Sequence, residues 1–435
     1  MWARGLAWSY KEAFLYVDDR APASYSDLRL LEIVGNPRFE SGRARHIKSL
    51  WSGTSKSMNH TLRDGDTFMN EESNPEFDFI PGLKLSEAFY NDIVKPLLKR
   101  FYPDLEYSTA LFGTGSDILG FDTPQSMDHD WGPRLLLFLK ESDLNRYQEE
   151  LDHMLRENLP YEFNGFPTNF IVADSGSLIM TPITSGPVNH QVKISTVSEF
   201  FTEYFGLFPS ENFSVIDWLT IPEQILRSIV SGRIFYDGLK ELEPIFARLQ
   251  YYPYELWLYL LANQWRRIAQ EEAFMGRCGQ VGDELGSRLI GARLVRDMMK
   301  LCFLMEKQYA PYIKWFGTAF SKLSCAKNLE PLFLQSLNAS SWQEREKYLV
   351  KSYEYIAEMH NELGITKPLN TKPVYFHNRP FRIIESDKFA TEILSTIQDN
   401  EVKELPEYLG GIDQYVDSTD VLSYTNRYRR FWSMY

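Results

Sequence analysis

The sequence predicts an α+β protein: an α/β portion over residues 81–210 built on a mixed sheet, followed by a mainly α-helical portion over residues 211–435 with a Pro- and aromatic-rich tail. Three observations carry this expectation. Short apolar runs bounded by turn residues, Tyr107 to Phe112 and Leu135 to Leu139, read as strands beside a stretch of helical periodicity. Beyond residue 210 the apolar residues recur at helical spacing instead. The 435 residues exceed the roughly 250–300 at which a single hydrophobic core stops growing, so two or three domains are expected.

Residues 1–80 mix aromatic-rich segments with a polar stretch, Ser52 to Pro81, that reads as loop or linker, and no role can be assigned to them. Leu85, Phe89, Ile93 and Leu97 then recur every fourth residue, which marks one face of a helix that Pro96 should bend or end. Tyr107 to Phe112 is the first strand. Gly113-Thr114-Gly115-Ser116 breaks it, and after an eleven-residue loop Asp128-His129-Asp130 leads into the apolar run Leu135 to Leu139. Ser142 is placed to cap a helix whose apolar positions are Leu144, Tyr147, Leu151 and Met154, and Phe170 to Ala173 and Gln191 to Thr196 are further strands. In the second half, Thr220 and Glu223 have capping-box spacing, with Pro222 in the first turn and Ile225, Leu226, Ile229 and Val230 as the apolar face. More helices are expected at about 254–268, 287–308, 343–362 and 388–398. The tail from Asn370, ending in the basic and aromatic segment Arg427 to Tyr435, should pack back on the helical portion.

Composition narrows the class. Charged residues make up 24% and the AVILMFWYC set 44%, which is ordinary for a globular chain and excludes wholesale disorder. Arg4, Lys11 and Glu12 interrupt the N-terminal apolar residues, so no signal peptide is expected, and no run approaches the ~18 apolar residues of a membrane span. Cys278, Cys302 and Cys325 are three in number and widely spaced, against a disulfide framework or a zinc knuckle. A cytoplasmic protein with no membrane partner is the expectation. The formal charge of −13 opposes non-specific binding to nucleic-acid phosphates, which a local basic patch would have to override.

The chemistry concentrates between Gly113 and Arg134. A glycine-rich turn lets consecutive backbone N–H groups converge on an anion, and Ser116 adds a hydroxyl, so the turn is a candidate phosphate cradle. Asp128 and Asp130 strengthen that reading. At the start of a strand, side chains at i and i+2 share a face, so both carboxylates can hold hard cations while His129 points the other way. Two Mg²⁺ ions about 3.5–4 Å apart on such carboxylates bind a triphosphate and assist displacement at phosphorus.

A Gly-Ser turn followed by a spaced Asp-x-Asp resembles the nucleotidyltransferase superfamily, which includes polymerase beta and the aminoglycoside nucleotidyltransferases. The fuller string GTGSDILGFDTPQSMDHDWGPRL is similar to a poorly characterised bacterial and fungal family in that superfamily with a C-terminal helical domain. FMGRCGQVGDELGSRLIGARLV, YAPYIKWFG, RPFRIIESDKFA and DQYVDSTDVL resemble that family too, so the likeness spans roughly residues 80–435. The resemblance implies a nucleotidyltransferase-type α/β domain and a helical domain closing over a nucleotide. It further implies Mg²⁺-dependent transfer of a nucleoside monophosphate from a nucleoside triphosphate to an acceptor hydroxyl. Gly115 and Ser116 match its phosphate-binding turn, and Asp128 and Asp130 its metal pair. The superfamily's third carboxylate has no counterpart in His190 to Ser195, which leaves Glu199 as a candidate third ligand or general base. The missing carboxylate also supports an alternative, a nucleotide-binding regulator of the same fold without turnover. The acceptor is open, with a cationic or neutral small molecule favoured by the acidic surface.

Lys314, in the segment Tyr309 to Trp315, resembles the helical-domain lysine that related antibiotic-modifying enzymes direct at the nucleotide, and Trp315 beside it reads as core. Arg293, Arg296 and Lys300 fall on one helix face; Arg293 is a candidate nucleotide contact, against the plainer reading of a solvated basic face. Asp117 and Asp122 read as loop aspartates bonding their own backbone. Glu284 could face the cleft, although Asp283 and Ser287 there are explained by a helix N-cap. Gly132-Pro133 suggests an edge strand or a bulge after the Asp pair.

Overall fold

The computed structural model describes residues 79–174, 176–209 and 213–435, so residues 1–78, with nearly all of the N-terminal region and its polar stretch, lie outside the described residues. Helix α1 (Gly82–Phe89) and helix α2 (Lys95–Phe101) are joined by a π-helical turn, Tyr90–Val94, rather than broken. Pro96 sits in the first turn of α2. Its ring would clash with the Asp92 carbonyl in a regular α-helix, and the wider turn relieves that clash. Leu85 and Phe89 are fully buried, as their spacing predicts.

The main sheet has the order β7-β2-β1-β8. Strand β1 (Tyr107–Leu111) is followed by the four-residue helix α3 (Ser116–Leu119), and strand β2 (Arg134–Leu139) by helix α4 (Glu141–Asn158). Two small hairpins follow, β3 (Glu162–Phe163) with β4 (Phe166–Pro167) and β5 (Phe170–Val172) with β6 (Leu178–Met180). Strand β7 (Gln191–Ser195) then pairs parallel to β2, in register Arg134↔Gln191, and β2 pairs antiparallel to β1. β2 is therefore central, not an edge strand. Gly132 and Pro133 precede it, where a missing donor breaks no ladder. The run of apolar residues in β2 is explained by burial on both faces: Leu136 and Phe138 join one core, and Leu135, Leu137 and Leu139 join another with α1 and α4. The helix α4 start differs in detail from expectation, because Lys140 occupies the N-cap and Ser142 lies inside the first turn, where Glu141 and Asp143 complement the helix dipole.

Helices α5 (Val197–Phe205), α6 (Val215–Thr220) and α7 (Glu223–Val230) lead to strand β8 (Arg233–Asp237), which pairs antiparallel with β1. A strand past residue 210 thus completes the sheet. Thr220 does not cap α7; it ends α6, and the cap of α7 comes from Asp413, whose Oδ2 accepts the Glu223 N–H at 2.8 Å. The remaining chain is mainly helical: α8 (Leu242–Leu249), α9 (Tyr254–Glu271), α10 (Phe274–Gln280), α11 (Glu284–Met305), α12 (Ile313–Phe320), α13 (Ala326–Asn338) and α14 (Trp342–Glu362), then a small antiparallel hairpin, β9 (Val374–Tyr375) with β10 (Arg382–Ile383), then α15 (Asp387–Thr396) and short helical segments. One core runs continuously from Ala110 and Phe138 of the sheet through α5, α7, α9 and α11 to Tyr428, and the described residues form one compact unit. The tail packs back as expected: the Tyr428 hydroxyl donates to the Tyr204 carbonyl at 2.9 Å, and Arg429 reaches Asp217 on α6 at 3.0 Å. Among the described residues no helix is long and apolar enough to cross a membrane.

Candidate active site

β1 ends at Leu111, and the Gly113 N–H is held at 3.0 Å by the Ser228 carbonyl of α7. The chain then turns through Gly115 into α3. Gly115 has φ +149°, and a Cβ there would lie 2.2 Å from Asp117 Oδ1 and 2.5 Å from Arg134 Nη2, so only glycine fits. The reason is an internal ion pair. Asp117, buried in α3, receives Arg134 Nη2 at 2.8 and 3.0 Å on its two oxygens, and the same nitrogen donates to the Thr114 carbonyl at 3.3 Å. Asp117 therefore braces the turn from behind rather than bonding its own backbone. Asp122 also has distant partners, the Gly82 N–H at 2.7 Å and Trp131 Nε1 at 3.0 Å, which tie the loop to α1.

The Asp pair lies before β2, not in it. Asp128 ends a 3-10 helix, Pro124–Asp128, and Asp130 has φ +51°, so strand alternation does not operate there. Asp130 is fixed instead by strand β6: its N–H donates to the Leu178 carbonyl at 2.8 Å and its Oδ1 accepts the Leu178 N–H at 2.9 Å. Gly132 permits the close approach of that hairpin, since a Cβ there would fall 2.6 Å from Met180 Sδ. With alternation gone, His129 is not turned away. It lines the same cavity as the two aspartates, with Nδ1 2.8 Å from Asp128 Oδ1.

A cavity of about 470 Å³ opens between this loop and α12. Gly115, Ser116, Asp128 and Asp130 lie on one side and Tyr312, Lys314 and Trp315 on the other. Trp315 is half-buried and packs against the core; its ring lies 5.4 Å from that of Phe121, and Lys322 donates to the Gly120 carbonyl at 3.2 Å, so the two walls also touch each other. Lys314 is exposed, with Nζ 5.3 Å from the centre of the Trp315 ring.

Two sequence candidates are placed elsewhere. Glu199 belongs to the capping box of α5, its Oε2 accepting from Ser195 Oγ at 3.1 Å and the Thr196 N–H at 3.4 Å, and it does not line the cleft. Arg293 grips Glu271 through two bonds of 2.8 and 2.5 Å and lines a different cavity with Arg296 and Lys300. The basic face of α11 is thus occupied: Arg296 pairs with the Asp417 carboxylate, and Lys300 donates to the Asp413 carbonyl. Glu284 pairs with Arg345 at 2.6 Å, away from the cleft, while Asp283 does cap α11. The cleft residues that local reading missed, Thr123, Gln125, Ser126 and Tyr312, are ordinary polar and aromatic side chains whose convergence depends on the fold.

Asp128 and Asp130 both line the cavity, each with Oδ1 already engaged, by His129 Nδ1 and by the Leu178 N–H, and Mg²⁺ commonly takes one or two carboxylates, keeps several waters and completes its shell with substrate phosphates. The pair fits that role. Among the described residues no group of three or more His, Cys, Asp or Glu side chains is arranged to hold a metal, so a site enclosed by protein ligands alone is not what these residues build.

A family model described as "Domain of unknown function (DUF4037)" matches residues 218–316, which run from the end of α6 to α12. No curated protein matches. Among solved structures, a nucleotidyltransferase-like protein from Exiguobacterium sibiricum 255-15 is similar at 9% identity, with 72% of this chain and 89% of that chain covered and a TM-score of 0.28. A global superposition that loose bears no weight for the chemistry of the cleft.

Proposed function

We propose that the chain binds a nucleoside triphosphate with Mg²⁺ in the cleft between the Gly115–Ser116 turn and α12, and transfers the nucleoside monophosphate to an acceptor hydroxyl. The observation that carries this reading is the convergence of Gly115, Ser116, Asp128, Asp130 and Lys314 on one cavity of about 470 Å³. The backbone of the turn and the Ser116 hydroxyl would take the terminal phosphates, and Lys314 would neutralise them from the opposite wall. Asp128 and Asp130 would hold Mg²⁺, one ion or two, which when bound supplies charge neutralisation at the reacting phosphates. Transfer forms a bond from the acceptor oxygen to the α-phosphorus and breaks the bond to pyrophosphate, with the hydroxyl proton leaving to solvent. Orientation in the cleft is the protein's main contribution. The acceptor class stays open.

A second reading, a nucleotide-binding regulator without turnover, is favoured by the place of Glu199 in a helix cap. Calorimetric titration of MgATP and MgGTP into wild type and an Asp128→Asn/Asp130→Asn variant, with product analysis, separates the possibilities. Binding lost in the variant together with pyrophosphate release supports transfer; metal-dependent binding without product supports the regulator. Equal or absent binding in both proteins rejects a nucleotide site here.

A further inference from the structure

Helix α7 touches both walls of the cleft. At its C-terminal end the Ser228 carbonyl holds the Gly113 N–H at 3.0 Å, at the start of the turn that carries Gly115 and Ser116. It also holds the segment leading into α12: from the first turn Glu223 Oε2 accepts the Ala310 N–H at 2.8 Å, and from the last turn Arg227 Nη1 donates to Gln308 Oε1 at 3.0 Å and to the Tyr309 carbonyl at 3.4 Å. Only Pro311 separates Ala310 from Tyr312, and Tyr312 and Lys314 line the cleft. α7 is itself secured by the C-terminal segment, through Asp413 Oδ2 on the Glu223 N–H at 2.8 Å and through Gln224 on the Leu422 carbonyl and Ser423 Oγ, both at 3.1 Å.

From this arrangement we infer that Glu223 is a positioning residue: it fixes the near end of α12, and with it Lys314, at a set distance from the Gly115–Ser116 turn. This inference rests on the nucleotide site proposed above. Within the first turn of α12 Trp315 packs on Phe121, and past the helix end Lys322 donates to the Gly120 carbonyl, so the part that Glu223 governs is the Ala310–Lys314 lead into the helix. Burial first, and then the charge of Asp413, push the Glu223 carboxyl well above the usual carboxylate range, and Gln keeps both its shape and the oxygen that accepts the Ala310 N–H.

The test compares Glu223→Ala and Glu223→Gln by amide hydrogen exchange without nucleotide and by MgATP titration, each also in a Lys314→Ala background. The expected result is exchange at 310–314 at least tenfold faster in Glu223→Ala, MgATP affinity weaker by about five- to tenfold, and both restored in Glu223→Gln. In the Lys314→Ala background the affinity effect should shrink, because the two residues act through one contact. A full, additive loss of affinity in that background overturns the inference, as does unchanged exchange in Glu223→Ala. If wild type binds no MgATP, the nucleotide reading fails on its own, and exchange at 310–314 alone decides whether Glu223 fixes α12.

Discussion

Replacement of Gly115 by Ala isolates the brace behind the turn. Two costs follow from the geometry. Glycine's φ of +149° lies in a region that a residue with a Cβ enters at a cost of about 1–3 kcal/mol. The new methyl would also stand 2.2 Å from Asp117 Oδ1 and 2.5 Å from Arg134 Nη2, forcing apart a pair whose Asp side chain is 1% exposed. Severing a buried pair outright costs about 3–5 kcal/mol, but Arg134 is 19% exposed and can swing toward water, so about half of that is expected. The sum is about 3–5 kcal/mol, a large part of the ~5–15 kcal/mol that holds a typical domain together. Gly120→Ala is the control: φ is +70° with no atom within 4 Å of its Cβ, so its cost is about 1–2 kcal/mol from backbone strain alone. Guanidinium denaturation followed by tryptophan fluorescence measures both. A Gly115→Ala variant no less stable than Gly120→Ala would refute the idea that the ion pair demands glycine there.

Further outcomes are expected from the same reasoning. Glu199→Ala should destabilise by about 1 kcal/mol through loss of the capping box and leave nucleotide affinity unchanged; a selective loss of affinity or turnover at intact stability would return Glu199 to the chemistry. Lys314→Ala should weaken MgATP binding about five- to tenfold and shift stability by less than about 0.5 kcal/mol, as measured by calorimetry and thermal melting, because the side chain is exposed. His360, packed against Trp265 and Phe389, is lowered by burial from 6.5 to about 4. The unfolded chain therefore takes up a proton near pH 6.5 that the folded chain refuses until about pH 4, so stability falls as pH drops through that window, by about 3 kcal/mol at most. Denaturation at several pH values should show that slope in wild type and lose it in His360→Gln; an unchanged slope would assign it to other groups.

What could be read from sequence was what depends on neighbours in the chain. The strands at Tyr107–Leu111 and Arg134–Leu139 and the helices at Tyr254–Glu271 and Trp342–Glu362 announce themselves by periodicity and length. The errors have one physical origin, partners far away in the chain. The cap of α7 comes from Asp413, 190 residues distant, and local spacing assigned it to Thr220. Arg293 resembled a free cation until Glu271 on the neighbouring helix claimed it. Strand β8, short and set among helices, carries too few residues to be distinguished from a helical segment by pattern alone. In the cleft, Gly115, Ser116, Asp128 and Asp130 were expected from residue type and spacing and Lys314 from a family resemblance, and all five line one cavity; the left-handed backbone at Asp130 and the presence of His129 in that cavity were not legible.

The place of β8 beside β1 bears on how the chain is made. β1 is complete at Leu111, while its outer partner ends at Asp237, so on a ribosome adding ~5–20 residues per second that edge waits roughly 6–25 s for its partner. During that interval the hydrogen-bonding edge of an apolar strand, next to the turn that becomes the cleft wall, is open to pairing with any other chain nearby. Yield on overexpression should therefore respond to substitutions in β8 more steeply than the stability of the finished protein does.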